Sequence, residues 1–289
     1  MMKLVNYRLG EQIRLGIKTE QGVVDVEQAA ALHSLEAPIT MEQVVAAGET
    51  GQAKLAQILN NKAQTIHEKK LVYAPCVTNP EKILCVGLNY LSHREECDEV
   101  DLPPFPILFS KFNNALAAHN QTIKLPNKAE KVDYEAELVI VIGKEAINVS
   151  KEDAPAYIFG YTVGNDLSAR DLQKRTAQWL LGKTCDSFAP IGPWIVTADE
   201  VDSGNLDISC SVNGVIRQSA NTRDMIFDCA TIVSYASTYM TLKPGDIIFT
   251  GTPSGVIMGY PEEKQKWLTS GDIITISIEK IGTLQNTLK

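Results

Sequence analysis

Five apolar residues, Leu138-Val139-Ile140-Val141-Ile142, follow directly on Asp133-Tyr134-Glu135-Ala136-Glu137 and stop at Gly143. A β-branched run this short, ended by glycine, reads as a strand buried on both faces. Side chains alternate along a strand, so Asp133, Glu135 and Glu137 are expected to share one side. Carboxylates this close to a core need a partner, because an unpaired buried charge is costly or takes up a proton. A hard divalent cation is one such partner. The plainer alternative is a solvated acidic strand face.

Around this centre, alternation and β-branched content predict strands over 3–8, 12–18, 22–26, 83–87, 106–110, 158–163, 194–197, 206–212, 247–250 and 273–278. Helices are predicted over 41–61, with Thr40 as cap, and over 92–99, 168–179 and 224–239. Strands outnumber helices and do not alternate with them. The expected class is therefore β-rich α+β, a sandwich or roll with marginal helices, rather than a doubly wound sheet. A proline-bearing polar cluster over 74–80 marks a boundary between a small N-terminal α/β domain (1–78) and a larger domain (79–289).

Bulk properties narrow the function. A net charge of −8 over 289 residues argues against a nucleic-acid binder. No apolar stretch approaches the roughly 20 residues of a membrane helix. The first residues lack a signal-peptide pattern, and the six cysteines show no metal-ligand spacing. A reduced, cytoplasmic protein is expected.

Four constellations carry chemistry. Glu135 and Glu137 gain a third carboxylate in Asp166, which follows the 158–163 strand; three oxygen ligands without His or Cys suit Mg²⁺ or Mn²⁺, with Ca²⁺ a further candidate. An ordinary helix-capping Asp is the alternative. His93 and Glu96, at i and i+3 on a helix, form an imidazole–carboxylate pair suited to general base work, or else a surface ion pair. Gly182-Lys183-Thr184 ends like a phosphate loop but has Ala177 where that motif needs glycine, so Lys183 is read as a fixed cation or a surface lysine. The Gly/Thr/Pro/Ser loop over 251–256 offers backbone N–H groups and hydroxyls to a carboxylate, or is simply a tight loop.

In this order these segments resemble the fumarylacetoacetate hydrolase family. The resemblance covers about 82–281 and rests on Gly87-Leu88-Asn89-Tyr90 with His93 and Glu96, on the 133–138 motif, on 164–166 with Ser168 to Gln173, on 182–186, and on 242–253. It implies a mixed β-sandwich roll, a homodimer, and Mg²⁺ or Mn²⁺ on Glu135, Glu137 and Asp166. It further implies that Lys183 and Gln173 contact the substrate, that Thr252 binds its carboxylate end, that His93–Glu96 activates water, and that Arg170 backs the ligands or touches substrate. Asp133 becomes a supporting residue. The segment 112–120 departs from the family pattern and is a candidate pocket wall.

The resemblance also implies 2-oxo acids as substrates, and a cation that polarises the keto oxygen of such an acid would stabilise an enolate. The expected activity is hydrolysis of acylpyruvates or decarboxylation of oxaloacetate. One alternative is isomerisation or decarboxylation of hydroxymuconate-type dicarboxylates. Another, from a different class, is a low-turnover binding or regulatory protein on the same scaffold.

Overall fold

The computed structural model describes residues 2–61, 63–97 and 101–289. The chain opens with a meander, β1 (Lys3–Leu9), β2 (Gln12–Thr19) and β3 (Gly22–Asp25), and continues through α1 (Val26–Leu32), α2 (Met41–Leu59), β4 (Thr65–Ile66) and β5 (Val72–Tyr73). Then come β6 (Ile83–Gly87), α3 (Leu91–Glu96), β7 (Ile107–Lys111), β8 (Leu116–Ala117), β9 (Thr122–Ile123), β10 (Val132–Asp133), β11 (Ala136–Ile142), β12 (Ile158–Asn165) and β13 (Ser168–Ala169). The remainder is α4 (Arg170–Gln173), α5 (Leu180–Lys183), β14 (Ala189–Thr197), β15 (Asp207–Val212), β16 (Val215–Asn221), α6 (Cys229–Tyr239), β17 (Ile247–Phe249), β18 (Ile273–Ile278) and β19 (Gly282–Leu288).

Among the described residues the strands form a twelve-stranded mixed sheet along the path β4-β3-β2-β1-β14-β12-β11-β17-β6-β7, with β5 on β1 and β8 on β14. A five-stranded sheet, β16-β15-β18-β19-β9, packs against it, and β10 pairs with β13. The class is β-rich α+β, as the strand excess predicts. β11 lies between β12 and β17 and is buried along its whole length. Its Leu138, Ile140 and Ile142 enter a core shared with Ile208, Ile274 and Ile276 of the five-stranded sheet. Val139 and Val141 enter a second core with Leu4, Leu15, Ile17 and, from α2, Val44 and Leu55. Each such side chain contributes about 1.5–3 kcal/mol of burial, so β11 is a rigid support for whatever it carries at its start.

Several helices differ from the sequence reading. The segment 168–179 is no single helix: Ser168–Ala169 is strand, and the Thr176 hydroxyl bonds the Gln178 backbone, ending one turn before α5 begins. Residues 222–224 form a separate turn closed by an Asn221–Asp224 capping box, and α6 starts afresh at an Asp228 cap. α2 keeps its Thr40 cap but is broken at Gly48, where φ is 54°. The helix expected over 92–99 spans Leu91–Glu96, and residues 98–100 lie outside the described residues. Among the described residues no helix is long and apolar enough to cross a membrane.

Candidate active site

Glu137 sits one residue inside β11, on the side of Val139 and Val141. Glu135 precedes the strand, where its N–H donates to the Asn165 side chain and its carbonyl accepts from Asp166 N–H at 3.0 Å. These two bonds tie the entry of β11 to the exit of β12. They bring Glu135, Glu137 and Asp166 together as a buried triad, with one oxygen of each within 4.8 Å of the others.

Three cations surround the triad. Lys183 Nζ lies 2.6 Å from Glu135 Oε2 and 2.9 Å from Asp166 Oδ2. Lys111 Nζ lies 2.6 Å from Asp166 Oδ1. Arg170 Nη2 lies 2.7 Å from Glu135 Oε1. Burial alone pushes the Glu135 carboxyl up, but Lys183 and Arg170 outweigh it and hold it well below the usual range. Glu137 moves the other way: burial, then repulsion from Asp166 and Glu135, raises it well above the ordinary value, although Gly251 N–H donates to it at 2.7 Å. An acidic centre that is all oxygen, buried and repelling at one corner fits a hard divalent cation.

Asp133 stands apart from the triad. β10 and β11 are separate strands, so alternation does not run unbroken from 133 to 137. Asp133 instead accepts from Arg170 Nε at 2.9 Å and from the backbone of Ile257 and Met258. Arg170, so held, donates through Nη1 to Gln173 Oε1 at 3.0 Å. That bond leaves the Gln173 amide N–H₂ for a ligand.

The loop after β17 does something the sequence does not reveal. Its N–H groups serve the protein's own carboxylates: Gly251 bonds Glu137, Gly255 bonds Glu96, and Ile257 and Met258 bond Asp133. Only the Thr252 side chain of this loop's expected ligand groups faces the cavity. Its hydroxyl accepts from Gln218 Nε2 at 2.8 Å, and Gln218 is oriented by Ala136 N–H and the Pro253 carbonyl. The Thr252 O–H is thereby left to donate into the cavity.

His93 and Glu96 are joined at 2.6 Å through Nδ1 and Oε1. Burial lowers the imidazole, but hydrogen bonding with Cys97 and Glu96 overcomes it and holds His93 at about 9. A cavity of about 240 Å³ gathers His93, Glu135, Glu137, Arg170, Gln173, Lys183 and Thr252. Asp166 lies beneath, on Lys183. Residues 112–120 are absent from the cavity lining, and Phe112 is exposed elsewhere; the walls are Val86, Leu88, Phe109, Trp179 and Met258. Lys111 and Gln218 escaped sequence reasoning, since an isolated Lys in a strand and a lone Gln carry no spacing signal.

The model for the C-terminal domain of fumarylacetoacetate (FAA) hydrolase matches residues 82–289. The chain belongs to the fumarylacetoacetate hydrolase family. A fumarylacetoacetate hydrolase domain-containing protein 2 homolog of Dictyostelium discoideum is 44% identical, over 100% of this chain and 98% of the relative. Human "oxaloacetate tautomerase FAHD2A, mitochondrial" is 38% identical, over 99% and 91%. Among solved structures, maleylpyruvate hydrolase from Sphingobium sp. SYK-6, in complex with manganese(II) ion and pyruvate, superposes with a TM-score of 0.81 at 31% identity, over 99% of this chain and 98% of that one. The human and Sphingobium relatives are named for small organic acids, and the buried triad here has the composition of a divalent-metal site.

Proposed function

We propose that the protein is a divalent-metal-dependent enzyme that interconverts the enol and keto forms of a short 2-oxo dicarboxylic acid of the oxaloacetate type. The observation that carries this reading is one small cavity lined by His93 and by Glu135 and Glu137, two members of a buried carboxylate triad completed by Asp166 beneath, with the imidazole held at about 9. Mg²⁺ or Mn²⁺ on Glu135, Glu137 and Asp166 would supply Lewis-acid stabilisation of enolate charge.

The side chains account for the rest. His93, with Nδ1 committed to Glu96, exchanges a proton through Nε2. As imidazolium it delivers a proton to C3 of the enol form while the enol O–H proton leaves to solvent, and the neutral ring then recovers a proton. Tautomerisation thus conserves all carbon atoms and needs no attacking hydroxide. Lys183 supports negative charge on the substrate oxygens. The Thr252 hydroxyl and the Gln173 amide donate to the carboxylates, and Arg170 keeps Gln173 and Glu135 in place. The name of the human relative favours this reaction over the expected hydrolysis and decarboxylation. The likeness to maleylpyruvate hydrolase supports C–C hydrolysis as a second reading, with His93 as base for water.

All six cysteines are free, which suits a reducing compartment. The cytoplasm is the proposed location, although the human relative's name is mitochondrial. A homodimer is part of the proposal and is checked by light scattering.

The test follows enol absorbance of oxaloacetate with and without Mg²⁺, Mn²⁺ and a chelator, while pyruvate and CO₂ are assayed in parallel. Metal-dependent loss of enol with no carbon released is expected. Release of pyruvate at the rate of enol loss would replace the tautomerase reading with a lyase one.

A further inference from the structure

The cavity is lined by both polar and apolar side chains, and one apolar wall has an unusual construction. Trp179 leans on Gly87 so closely that a Cβ at position 87 would stand 2.7 Å from indole Cζ3 and 3.0 Å from Cη2. No residue but glycine permits that seat. Phe109 meets the indole edge to face, with ring centroids 5.3 Å apart. The same Phe109 ring carries Lys183, whose Nζ is 5.0 Å from its centroid. The cation on the triad and the tryptophan wall are therefore separated by a single phenyl ring. They are also held by one short element, since Trp179 caps α5 and Lys183 ends it.

We infer that Trp179, seated on Gly87 and braced by Phe109, sets the maximum length of the substrate, admitting four- and five-carbon 2-oxo acids and rejecting longer acyl chains. The inference rests on the reading of the site as a 2-oxo acid site. Two observations support a short ligand. The cavity of about 240 Å³ falls below the roughly 300–1,000 Å³ of sites for drug-sized ligands. The polar groups that would bind carboxylates, Thr252, Gln173 and Lys183, line the same cavity as Trp179, so a ligand engaging them has little free length. Each methylene forced against such a wall costs selectivity of about 10-fold or more.

The experiment measures binding by Mn²⁺-loaded protein of a series of linear 2-oxo acids with four, six and eight carbons, alongside kcat/KM for oxaloacetate. In the wild type, affinity is expected to fall at each step. In Trp179→Ala the eight-carbon acid should gain at least about 10-fold relative to the four-carbon acid. Trp179→Leu keeps an apolar filler should the alanine variant not fold, and should show a smaller gain in the same direction. Gly87→Ala, which displaces the indole, should disturb the length preference too. If the wild type binds no 2-oxo acid at all, the functional reading falls and the wall falls with it. If it binds the four-carbon acid but the length preference is unchanged in both Trp179 variants, the wall alone is wrong.

Discussion

Lys111 Nζ and Asp166 Oδ1 meet 2.6 Å apart with neither side chain exposed to solvent. The lysine is also within hydrogen-bonding reach of the carbonyls of Leu167 and Phe188, on either side of α5, and of Lys183 at its end. It holds a ligand of the triad and the segment bearing Lys183 in one grip. Lys111→Met is expected to lower stability by about 3–5 kcal/mol, because the Asp166 charge is left buried and short of a partner. Urea unfolding measures this. The double variant with Asp166→Asn should recover part of the loss; full additivity of the two costs would show that the pair is not coupled.

Glu137 is the repelled corner of the triad, raised by burial and by its two neighbours. For a carboxyl raised on folding, the stabilising form is the protonated one. Its contribution is whole below the unfolded value of about 4.3 and is lost as pH rises through the folded value. Metal-free Glu137→Gln should therefore melt higher than metal-free wild type at pH 8. With Mn²⁺ the order should reverse, with affinity falling by more than the 10–100-fold typical of supporting residues. Thermal melts with chelator and with Mn²⁺, together with calorimetric titration, check both halves. A Glu137→Gln variant that binds Mn²⁺ normally contradicts the triad assignment.

His93 at about 9 makes a prediction about pH. Stabilisation from its protonated form is complete below the unfolded value of about 6.5 and disappears as pH rises through about 9. If the imidazolium is the working form, kcat/KM declines on the alkaline side near the same pH. Glu96→Gln removes the anion that helps hold the proton, so the alkaline limb should move to lower pH. A limb that stays in place would mean another group controls it.

Gly251 has φ +100°, and a Cβ there would stand 2.7 Å from Asn89 Cβ. Its N–H is also the donor to Glu137. Gly251→Ala should cost about 1–3 kcal/mol through backbone strain and weaken Mn²⁺ binding as well. A thermal melt and a Mn²⁺ titration on the same sample separate the two effects; loss of stability with unchanged metal affinity would show that the N–H does not position Glu137.

The sequence made β11 legible because five consecutive apolar residues leave few alternatives, and E-x-E before it located two of three carboxylates. Asp166 was legible as the residue after a strand. Asp133, read as a supporting residue, was expected on the face of Glu135 and Glu137, but a break between β10 and β11 interrupts that alternation and no residue in 133–137 announces it. β16 and β19 went unseen because they bury few apolar side chains: β16 is an edge strand with an exposed Val215 and Ile216, and β19 buries Asn286 between Leu284 and Leu288. The amides of 251–256 looked like ligand donors, and only the folded chain reveals that those of Gly251 and Gly255 are already held by Glu137 and Glu96, over 110 residues away.

The pairing of β1 with β14 joins Lys3 to Val196 and Leu4 to Ile195, so the opening meander continues the sheet that carries the site. A shortened protein beginning near residue 79 would strip that flank from β14. Unpaired amides and carbonyls beside Ile195 would then invite any extended chain to dock as a new strand. The meander thus doubles as a guard against edge-to-edge clumping, and its removal should be felt as lost solubility.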